Sequence, residues 1–229
     1  MSLRLGGLVP WSNVDYPGYQ AAVLFVSGCP WRCRYCHNSH LWKPRPTLSW
    51  ETARSFLASR AGLLDAVVIS GGEPLVQADA VYVSLLEIRA LAFRTALHTA
   101  GVTPHRLTRL LPHLDWVGLD VKGPFARYAA ITGKKQSGDS AREAVEILLE
   151  SGLSHQLRTT VHPDLLSEKD IVTMVTELHA MGASGLTLNN FRSLGCPDER
   201  LCASYRPWLS PSLAEELKAI MPDIVLPEL

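Results

Sequence analysis

Three cysteines in one short segment are the residues of this sequence best suited to bind a metal. Cys29, Cys33 and Cys36 have the spacing Cys-x3-Cys-x2-Cys. Three thiolates so close together leave a four-coordinate site incomplete, whereas an iron–sulfur cube bound by three cysteines keeps its fourth iron open to a small molecule. The spacing therefore favours a [4Fe–4S] cluster with one free iron.

The alternative is a structural zinc site completed by His37, Cys196 or Cys202. Such sites usually combine two pairs of cysteine or histidine ligands, and only one such element occurs here. The chain has 5 cysteines, an odd number that makes a poor disulfide framework. Clustered cysteines in a reducing compartment more often bind metal or do redox chemistry. We therefore rank the zinc site well below the cluster.

The elements that must position these cysteines follow from an alternation of apolar and amphipathic segments. Apolar segments predict six strands, at residues 22–26, 66–69, 94–97, 116–119, 157–161 and 186–188. Helices are predicted after the N-cap residue Ser49 and at residues 77–90, 104–111, 140–150, 167–181 and 212–220. This order is typical of right-handed βαβ units and a parallel sheet. Because six units are fewer than the eight of a closed barrel, we expect an α/β fold with an open, partial (β/α)6 barrel.

Composition predicts a single domain, and the balanced charge gives no indication of a surface that binds polyanions. No linker or low-complexity segment divides the chain, so we expect one domain over residues 1–229, with a core at about 20–192 and a C-terminal extension at about 193–229. Lys plus Arg and Asp plus Glu both number 22, which gives no long-range field for nucleic acid or a membrane surface. Neither a membrane span nor a signal-peptide pattern is present. We expect a cytoplasmic protein with no nucleic-acid and no membrane partner.

Polar residues cluster where the predicted strands end. Besides the cysteine segment, the clusters are Ser70-Gly-Gly-Glu-Pro74, His98-Thr-Ala-Gly101, Asp120-Val-Lys122, Arg158 with His162, and Asn189-Asn-Phe-Arg192. Ligands of parallel α/β folds bind at the carboxyl ends of the strands. We therefore expect these clusters to surround one active site.

The glycine pair in the second cluster is expected to let a ligand approach bare backbone. Glu73, which follows Gly71 and Gly72, is expected to accept a hydrogen bond from an ammonium group.

For the charged residues of the later clusters, the sequence distinguishes less clearly between ligand binding and a structural role. Asp120 and Lys122 share one face of an extended segment, where we favour a binding role over a solvated pair. Arg158 suits a ligand contact and an ion pair inside the barrel equally. His98 is expected to be a surface or packing histidine, since no metal-ligand spacing relates it to other histidines.

Together these motifs resemble the radical S-adenosylmethionine (SAM) superfamily. The resemblance rests on the cysteine spacing, on the aromatic residue before the last cysteine, and on Gly71-Gly-Glu-Pro74 about 35 residues later. Val14-Asp-Tyr-Pro-Gly18, Tyr35-Cys-His-Asn38 and Asp120-Val-Lys122 are similar to the glycyl-radical enzyme activating proteins. Within these, the chain looks most like the activating proteins of anaerobic ribonucleoside-triphosphate reductase. The resemblance spans about residues 5–192.

The resemblance implies that the three cysteines hold a [4Fe–4S] cluster whose free iron chelates the amino and carboxylate groups of SAM. It also implies SAM contacts from residues of the other clusters. Tyr35 and His37 would lie near the adenine, Gly71, Gly72 and Glu73 would lie at the amino group, and Thr99 would contribute from the third motif. Asp120 and Lys122 would lie at the ribose and carboxylate, with further contacts from Arg158 and, more weakly, Arg192. One electron passed through the cluster would cleave SAM. The resulting 5′-deoxyadenosyl radical would take a hydrogen atom from a glycine Cα of a partner enzyme.

The implied partners are a glycyl-radical enzyme, expected to be anaerobic ribonucleotide reductase, and a low-potential electron donor such as flavodoxin or ferredoxin. One departure concerns His98-Thr-Ala-Gly101, where these activating proteins often have Asp-Thr-Asn-Gly. The missing carboxylate puts a monovalent-cation site near SAM in question. The tail with Cys196 and Cys202 is also unfamiliar, and is suited to partner recognition or metal binding.

Two other functions stay open. The first is a radical SAM enzyme that acts on a small molecule, such as 7-carboxy-7-deazaguanine synthase. That family tends to follow the last cysteine with Asp-Thr, whereas His37-Asn38 stands here and favours the activating proteins. The second is a non-enzymatic iron- or zinc-binding interaction protein.

Overall fold

A single open sheet forms the centre of the computed structural model, which describes residues 2–228. Its seven strands lie in chain order, β1 to β7, at Leu5–Ser12, Ala21–Val26, Ala66–Gly71, Arg94–Thr99, Trp116–Asp120, His155–Val161 and Thr187–Asn190. Strands β2 to β7 are parallel. Within the described residues β1 and β7 do not pair with each other. The predicted open, partial (β/α)6 barrel is confirmed.

The helices follow the strands in the predicted alternation. Over residues 2–228 they are α1 at Trp50–Ala58, α2 at Ala78–Ala90, α3 at Pro104–Leu110, α4 at Tyr128–Thr132, α5 at Ser137–Glu150, α6 at Glu168–Ala180, α7 at Glu199–Ser204 and α8 at Pro211–Ile220. Ser49 caps α1 as predicted, because its hydroxyl accepts from the Thr52 N–H at 3.1 Å. The short helices α4 and α7 were not predicted. In the part of the chain that is described, no helix is long and apolar enough to cross a membrane.

Strand β1 is an edge strand that the sequence pattern did not predict. It pairs antiparallel with β2, with Leu8 opposite Leu24, and its register is irregular on both sides of this pair. Gly6, Gly7 and Pro10 interrupt its apolar pattern. Glycine weakens the interior of a strand, and proline is largely confined to edge strands. An edge position tolerates them because one side of the strand needs no ladder partner.

The sheet face turned away from the helices changes from apolar to polar along the strands. Near the amino ends a small buried cluster contains Tyr16, Ala21, Val23, Ala66, Val68, Ala96 and Trp116. Side chains alternate between the two faces of a strand, so the later positions on this face are Phe25, Ser70, His98 and Asp120. All four line a cavity. The opposite face packs in the larger core with the helices, so strand periodicity itself places polar side chains at the carboxyl rim.

Candidate active site

One cavity lies at the carboxyl ends of the parallel strands. It brings together most of the predicted site residues, namely Cys29, Cys33, Tyr35, Cys36, His37, Gly71, Gly72, Thr99, Asp120, Lys122 and Arg158. Arg192 instead lines an adjoining groove, which shares His37 and Arg158 with the cavity. Glu73 lies behind the wall.

The cysteine loop has little regular structure and is held by backbone hydrogen bonds. The Arg32 N–H donates to the Thr132 carbonyl oxygen at 2.8 Å, which fastens the loop to the end of α4. A turn closed by the Cys36 N–H and the Cys33 carbonyl oxygen, 3.1 Å apart, brings the last two cysteines together. The loop thus presents its cysteines to the cavity from a fixed backbone.

The surroundings of Cys29 and Cys33 disfavour free thiolates. Burial and the nearby charge of Glu73 raise the pKa of Cys29 to about 12. Burial also raises the pKa of Cys33 to about 11, although the positive charge of Lys122 opposes the shift. Metal coordination deprotonates a thiol outright. The positive charge of a bound metal centre would therefore stabilise the thiolate form that burial disfavours.

The arrangement of ligand-type side chains differs from that of a single-ion site. Within residues 2–228, no three side chains of His, Cys, Asp or Glu converge on one metal ion. In an iron–sulfur cube each cysteine binds its own iron, and three cysteines in one cavity suit that ligation. The residues present therefore fit a cluster.

Gly71 and Gly72 are required by the close approach of two backbone segments. Gly71 has φ 110°, and a Cβ there would lie 2.4 Å from the Val26 nitrogen. A Cβ on Gly72 would lie 2.4 Å from the carbonyl oxygen of Gly28. The glycines let the end of β3 pack on β2 and on the start of the cysteine loop, and the approach of a ligand to their backbone stays a prediction. Both glycines also line the cavity.

Glu73 is buried, and its carboxylate is hydrogen-bonded within the protein. It accepts from the Thr99 hydroxyl at 2.6 Å, from the Ala100 N–H at 2.9 Å and from the Leu75 N–H at 3.0 Å. Burial raises the pKa of Glu73, and these hydrogen bonds oppose the shift. The sequence predicted a contact with a ligand ammonium group. In the structure this carboxylate ties the loop after β3 to the end of β4, and the contact with an ammonium group stays a prediction.

Asp120, Lys122 and Arg158 form a charged group on the cavity wall. The Arg158 Nε lies 2.6 Å from Asp120 Oδ1, and the Lys122 Nζ lies 3.5 Å from Asp120 Oδ2. Burial raises the pKa of Asp120, but the positive charges of Arg158 and Lys122 outweigh it and hold that pKa well below its usual range. Arg158 therefore forms the ion pair that was one of its two expected roles, and it also lines the cavity, where a ligand contact is possible.

His98 lines the cavity and was underrated by the sequence interpretation. Its Nε2 lies 2.7 Å from the Asp15 carbonyl oxygen and 3.2 Å from an Arg158 nitrogen, and its Nδ1 lies 3.4 Å from the Ser70 hydroxyl. Burial and the charge of Arg158 lower the pKa of His98 to about 4. The ring is therefore neutral at physiological pH. The signal that could have found it is its inward strand position, two residues after Ala96.

Tyr35 and His37, the two aromatic residues beside Cys36, both line the cavity. Tyr35 is buried, and the Lys122 ammonium lies 5.6 Å from the centre of its ring. His37 lies between the cavity and the adjoining groove. Within the described residues its Nε2 is buried without a hydrogen-bond partner, which leaves a polar atom available to a bound group.

Other cavity residues were not selected from the sequence as site residues. They are Asp15, Phe25, Trp31, Asn38, Trp42, Ser70, His98, Ala100 and Thr160. Most belong to motifs or strands already noted, and strand alternation would have indicated Phe25, Ser70 and Thr160.

Comparison with known proteins identifies the family of this chain. A model of the radical SAM superfamily matches residues 23–183. A Methanocaldococcus jannaschii protein named "Putative glycyl-radical enzyme activating enzyme" is 29% identical over 181 residues, which cover 75% of this chain and 73% of that protein. A pyruvate formate-lyase-activating enzyme of Clostridium pasteurianum is 31% identical over 185 residues, which cover 76% of this chain and 75% of that enzyme.

The fold recurs in the solved structure of anSMEcpe with bound AdoMet. The TM-score is 0.61 at 17% identity, and the superposed part covers 72% of this chain and 49% of that chain. This likeness concerns the fold alone. From the family match and the curated relatives together, the chain belongs to the radical SAM superfamily, whose cofactors are a [4Fe–4S] cluster and SAM, and it is an enzyme of the glycyl-radical enzyme activating family.

Proposed function

We propose that the protein forms a radical on a glycine Cα of a glycyl-radical enzyme, and that this partner is an anaerobic ribonucleoside-triphosphate reductase. The observation that carries the proposal is the single cavity in which the three motif cysteines meet the Asp120–Lys122–Arg158 group. The names of the two relatives support the class of partner. The reductase as the particular partner rests on the overall resemblance of residues 5–192, which look most like the activating proteins of that enzyme.

In this proposal Cys29, Cys33 and Cys36 would hold the [4Fe–4S] cluster, and SAM would bind beside it in the cavity. The bound cofactors supply a low-potential electron and a carbon-centred radical able to take a hydrogen atom. The protein's own task is to hold SAM in one orientation and to exclude water. The buried side chains of Trp31 and Tyr35 form the cavity wall between the cysteines and serve this exclusion.

The charged group of Asp120, Lys122 and Arg158 on the cavity wall suits the polar parts of SAM. Lys122 can donate to the carboxylate of SAM, and Asp120 can accept from its ribose hydroxyls. Hydrogen bonds to charged groups are each worth about 1.5–3 kcal/mol. Arg158 holds the Asp120 carboxylate in place through the 2.6 Å contact, so we assign it a role in orienting Asp120 as well as in binding.

The adjoining groove gives an extended peptide a path to the cavity. It is lined by Asn189, Asn190 and Arg192 beside residues shared with the cavity. Amide and guanidinium side chains are suited to the N–H and C=O groups of an extended backbone. We propose that the loop carrying the target glycine lies along this groove.

The experiment is an anaerobic reaction of reconstituted enzyme, SAM, dithionite and a purified candidate reductase. We expect 5′-deoxyadenosine together with a glycine-centred doublet in electron paramagnetic resonance. The doublet should be absent when the target glycine of the reductase is replaced by alanine. If 5′-deoxyadenosine forms without a radical on any glycyl-radical enzyme of the source genome, a small-molecule substrate takes the place of the partner protein.

A further inference from the structure

Two segments of the chain carry positive charges and no acidic residue. No Asp or Glu occurs between Asp15 and Glu51, a stretch that contains Arg32, Arg34, Lys43 and Arg45. The same holds between Asp120 and Asp139, a stretch that contains Lys122, Arg127, Lys134 and Lys135. A chain with zero formal net charge therefore has strongly uneven local charge, and such local fields steer charged partners.

The two segments meet at the cysteine loop. The Arg32 N–H donates to the Thr132 carbonyl oxygen at 2.8 Å, and the Arg34 N–H donates to the Ile131 carbonyl oxygen at 3.2 Å. Lys134 follows two residues after Thr132 and is exposed, as is Lys135. Folding thus brings positive charges from distant parts of the sequence to one place.

Side chains of the cysteine loop point alternately inward and outward. Trp31, Cys33 and Tyr35 are buried and line the active-site cavity. Arg32 and Arg34, which stand between them, are exposed and line a separate surface groove. Positive charges therefore lie on the outside of the same loop that presents Cys33 to the inside.

The surface groove also includes the exposed Arg200. Its two acidic residues are Asp198, which is paired with Arg34 at 2.8 Å, and Glu199. With three arginines and two acidic residues the groove has one excess positive charge, and the exposed Lys134 and Lys135 raise the excess to three. The Arg32 guanidinium lies 5.2 Å from the centre of the Trp42 ring, which fixes its position in the groove.

Five side chains make up what we term the outer basic face, namely Arg32, Arg34, Lys134, Lys135 and Arg200. We infer that this face is the docking surface for an acidic protein that donates electrons to the cluster. The inference rests on the proposed function, because only a reductive reaction requires such a donor. In each transfer the donor loses one electron and the cluster gains one, and no atom moves.

The position of the face favours an electron donor over the glycyl-radical enzyme. A target glycine must reach the cavity, which Arg32 and Arg34 do not line. An electron donor needs only a close approach to the cluster, and the outer side of the cysteine loop is one residue away from Cys33 on either side. Positive charge on that side increases the encounter rate of an acidic protein.

The test compares two double charge reversals that change the net charge equally. Lys134→Glu with Lys135→Glu alters the outer basic face, and Lys169→Glu with Lys218→Glu alters exposed positions on α6 and α8. An acidic flavodoxin, reduced to its hydroquinone, serves as the probe donor. We measure its Kd by titration and its rate of cluster reduction by absorbance at low salt. Dithionite is the comparison reductant.

We expect the first variant to bind flavodoxin about tenfold more weakly and to be reduced by it about tenfold more slowly, since steering is worth about 10- to 1000-fold in rate. The control variant and both dithionite rates should equal those of the unmodified protein. The difference should shrink at about 0.5 M salt, where screening acts within a few ångströms. Arg200→Glu provides a second variant if the lysine changes lower the cluster content.

Equal flavodoxin affinity of the two double variants would overturn the inference. So would a loss of affinity for the glycyl-radical partner with flavodoxin binding unchanged, because the face would then belong to the substrate protein. Failure of the proposed function gives a different result: the unmodified protein would bind flavodoxin and accept its electron, yet produce no glycyl radical.

Discussion

At the residue scale, the cysteines fall into two sets with different surroundings. The three motif cysteines line the cavity. Cys196 and Cys202 lie on the far side of the cysteine loop, where the Cys196 sulfur is 3.4 Å from the Arg34 carbonyl oxygen. The segment that carries Cys196 therefore packs on the outer side of the cysteine loop and stabilises it without lining the cavity.

Cluster binding should therefore depend on the first set alone. Replacing Cys29, Cys33 or Cys36 by Ala is expected to abolish the broad absorption near ~400 nm of a reconstituted protein-bound cluster. Cys196→Ser and Cys202→Ser are the matched controls and should retain both absorption and iron content. Loss of the absorption in either control would make that cysteine a further ligand.

Asp120 offers a test of SAM binding that leaves the cluster in place. Asp120→Asn removes the negative charge but keeps the size of the side chain, so a charge-assisted hydrogen bond worth about 1.5–3 kcal/mol is weakened. We expect the Kd for SAM to rise about tenfold or more, as measured by anaerobic titration. Asp139→Asn, on the exposed surface of α5, is the control. Unchanged SAM affinity with an intact cluster would remove Asp120 from the site.

His98 should make the stability of the protein depend on pH. Its pKa in the folded protein is about 4, because of burial and the charge of Arg158, whereas an unfolded histidine has a pKa of about 6.5. As pH falls from about 6.5 towards about 4, the unfolded state binds the proton first and the folded state loses stability. His98→Gln should reduce the loss of Tm between pH 7 and pH 5. Equal losses in both proteins would show that His98 does not titrate in this way.

At the scale of elements, strand and helix periodicity was sufficient to predict the parallel part of the fold. The six predicted strands correspond to β2–β7, and Ser49 caps α1 as expected. The edge strand β1 was missed because Gly6, Gly7 and Pro10 hide its pattern. The short helix α4 was also missed, since five residues span little more than one turn of periodicity.

The candidate site was predictable as a set of residues but not as a set of contacts. Motif spacing placed the cysteines and Asp120 at one rim, and the cavity contains them. The packing of Glu73 behind that rim depends on hydrogen bonds from Thr99 and Ala100, which lie on another strand end. Such contacts depend on how neighbouring loops meet, and one sequence carries no local signal for that.

The junction of β3 with the cysteine loop should tolerate no added carbon atom. A Cβ on Gly72 would lie 2.4 Å from the Gly28 carbonyl oxygen, which is backbone and cannot rotate away. Gly72→Ala should therefore destabilise the protein by about 1–3 kcal/mol and lower its iron content after reconstitution. Gly7→Ala on β1, where nothing lies within 4 Å of the added Cβ, is the matched control. Urea unfolding curves and iron analysis that match for the two variants would contradict this account.

At the scale of the whole molecule, zero net charge hides a separation of charge. The balance of 22 basic and 22 acidic residues led to the expectation of no field for polyanions. That expectation averages over the chain, whereas folding brings two acid-free segments together at the cysteine loop. Net charge is therefore a poor guide to local association here, because screening confines each charge's influence to about 8–10 Å at ordinary salt.

Recognition of the proposed glycyl-radical partner should likewise involve the whole molecule and not the target loop alone. A peptide that lies in the groove beside Asn189 and Arg192 must become extended, at about 1–2 kcal/mol for each ordered backbone residue. Ordering six residues would then cost about 6–12 kcal/mol. Hydrogen bonds to amide and guanidinium groups stabilise the bound peptide by only about 0.5–1.5 kcal/mol each, so a few of them do not offset this cost. A folded partner offsets that cost through surfaces outside the groove. We therefore expect an isolated peptide with the target glycine to give less than about a hundredth of the glycyl radical formed on the intact partner, measured by spin quantitation at equal concentration. A peptide as good as the intact enzyme would show that the groove alone determines recognition.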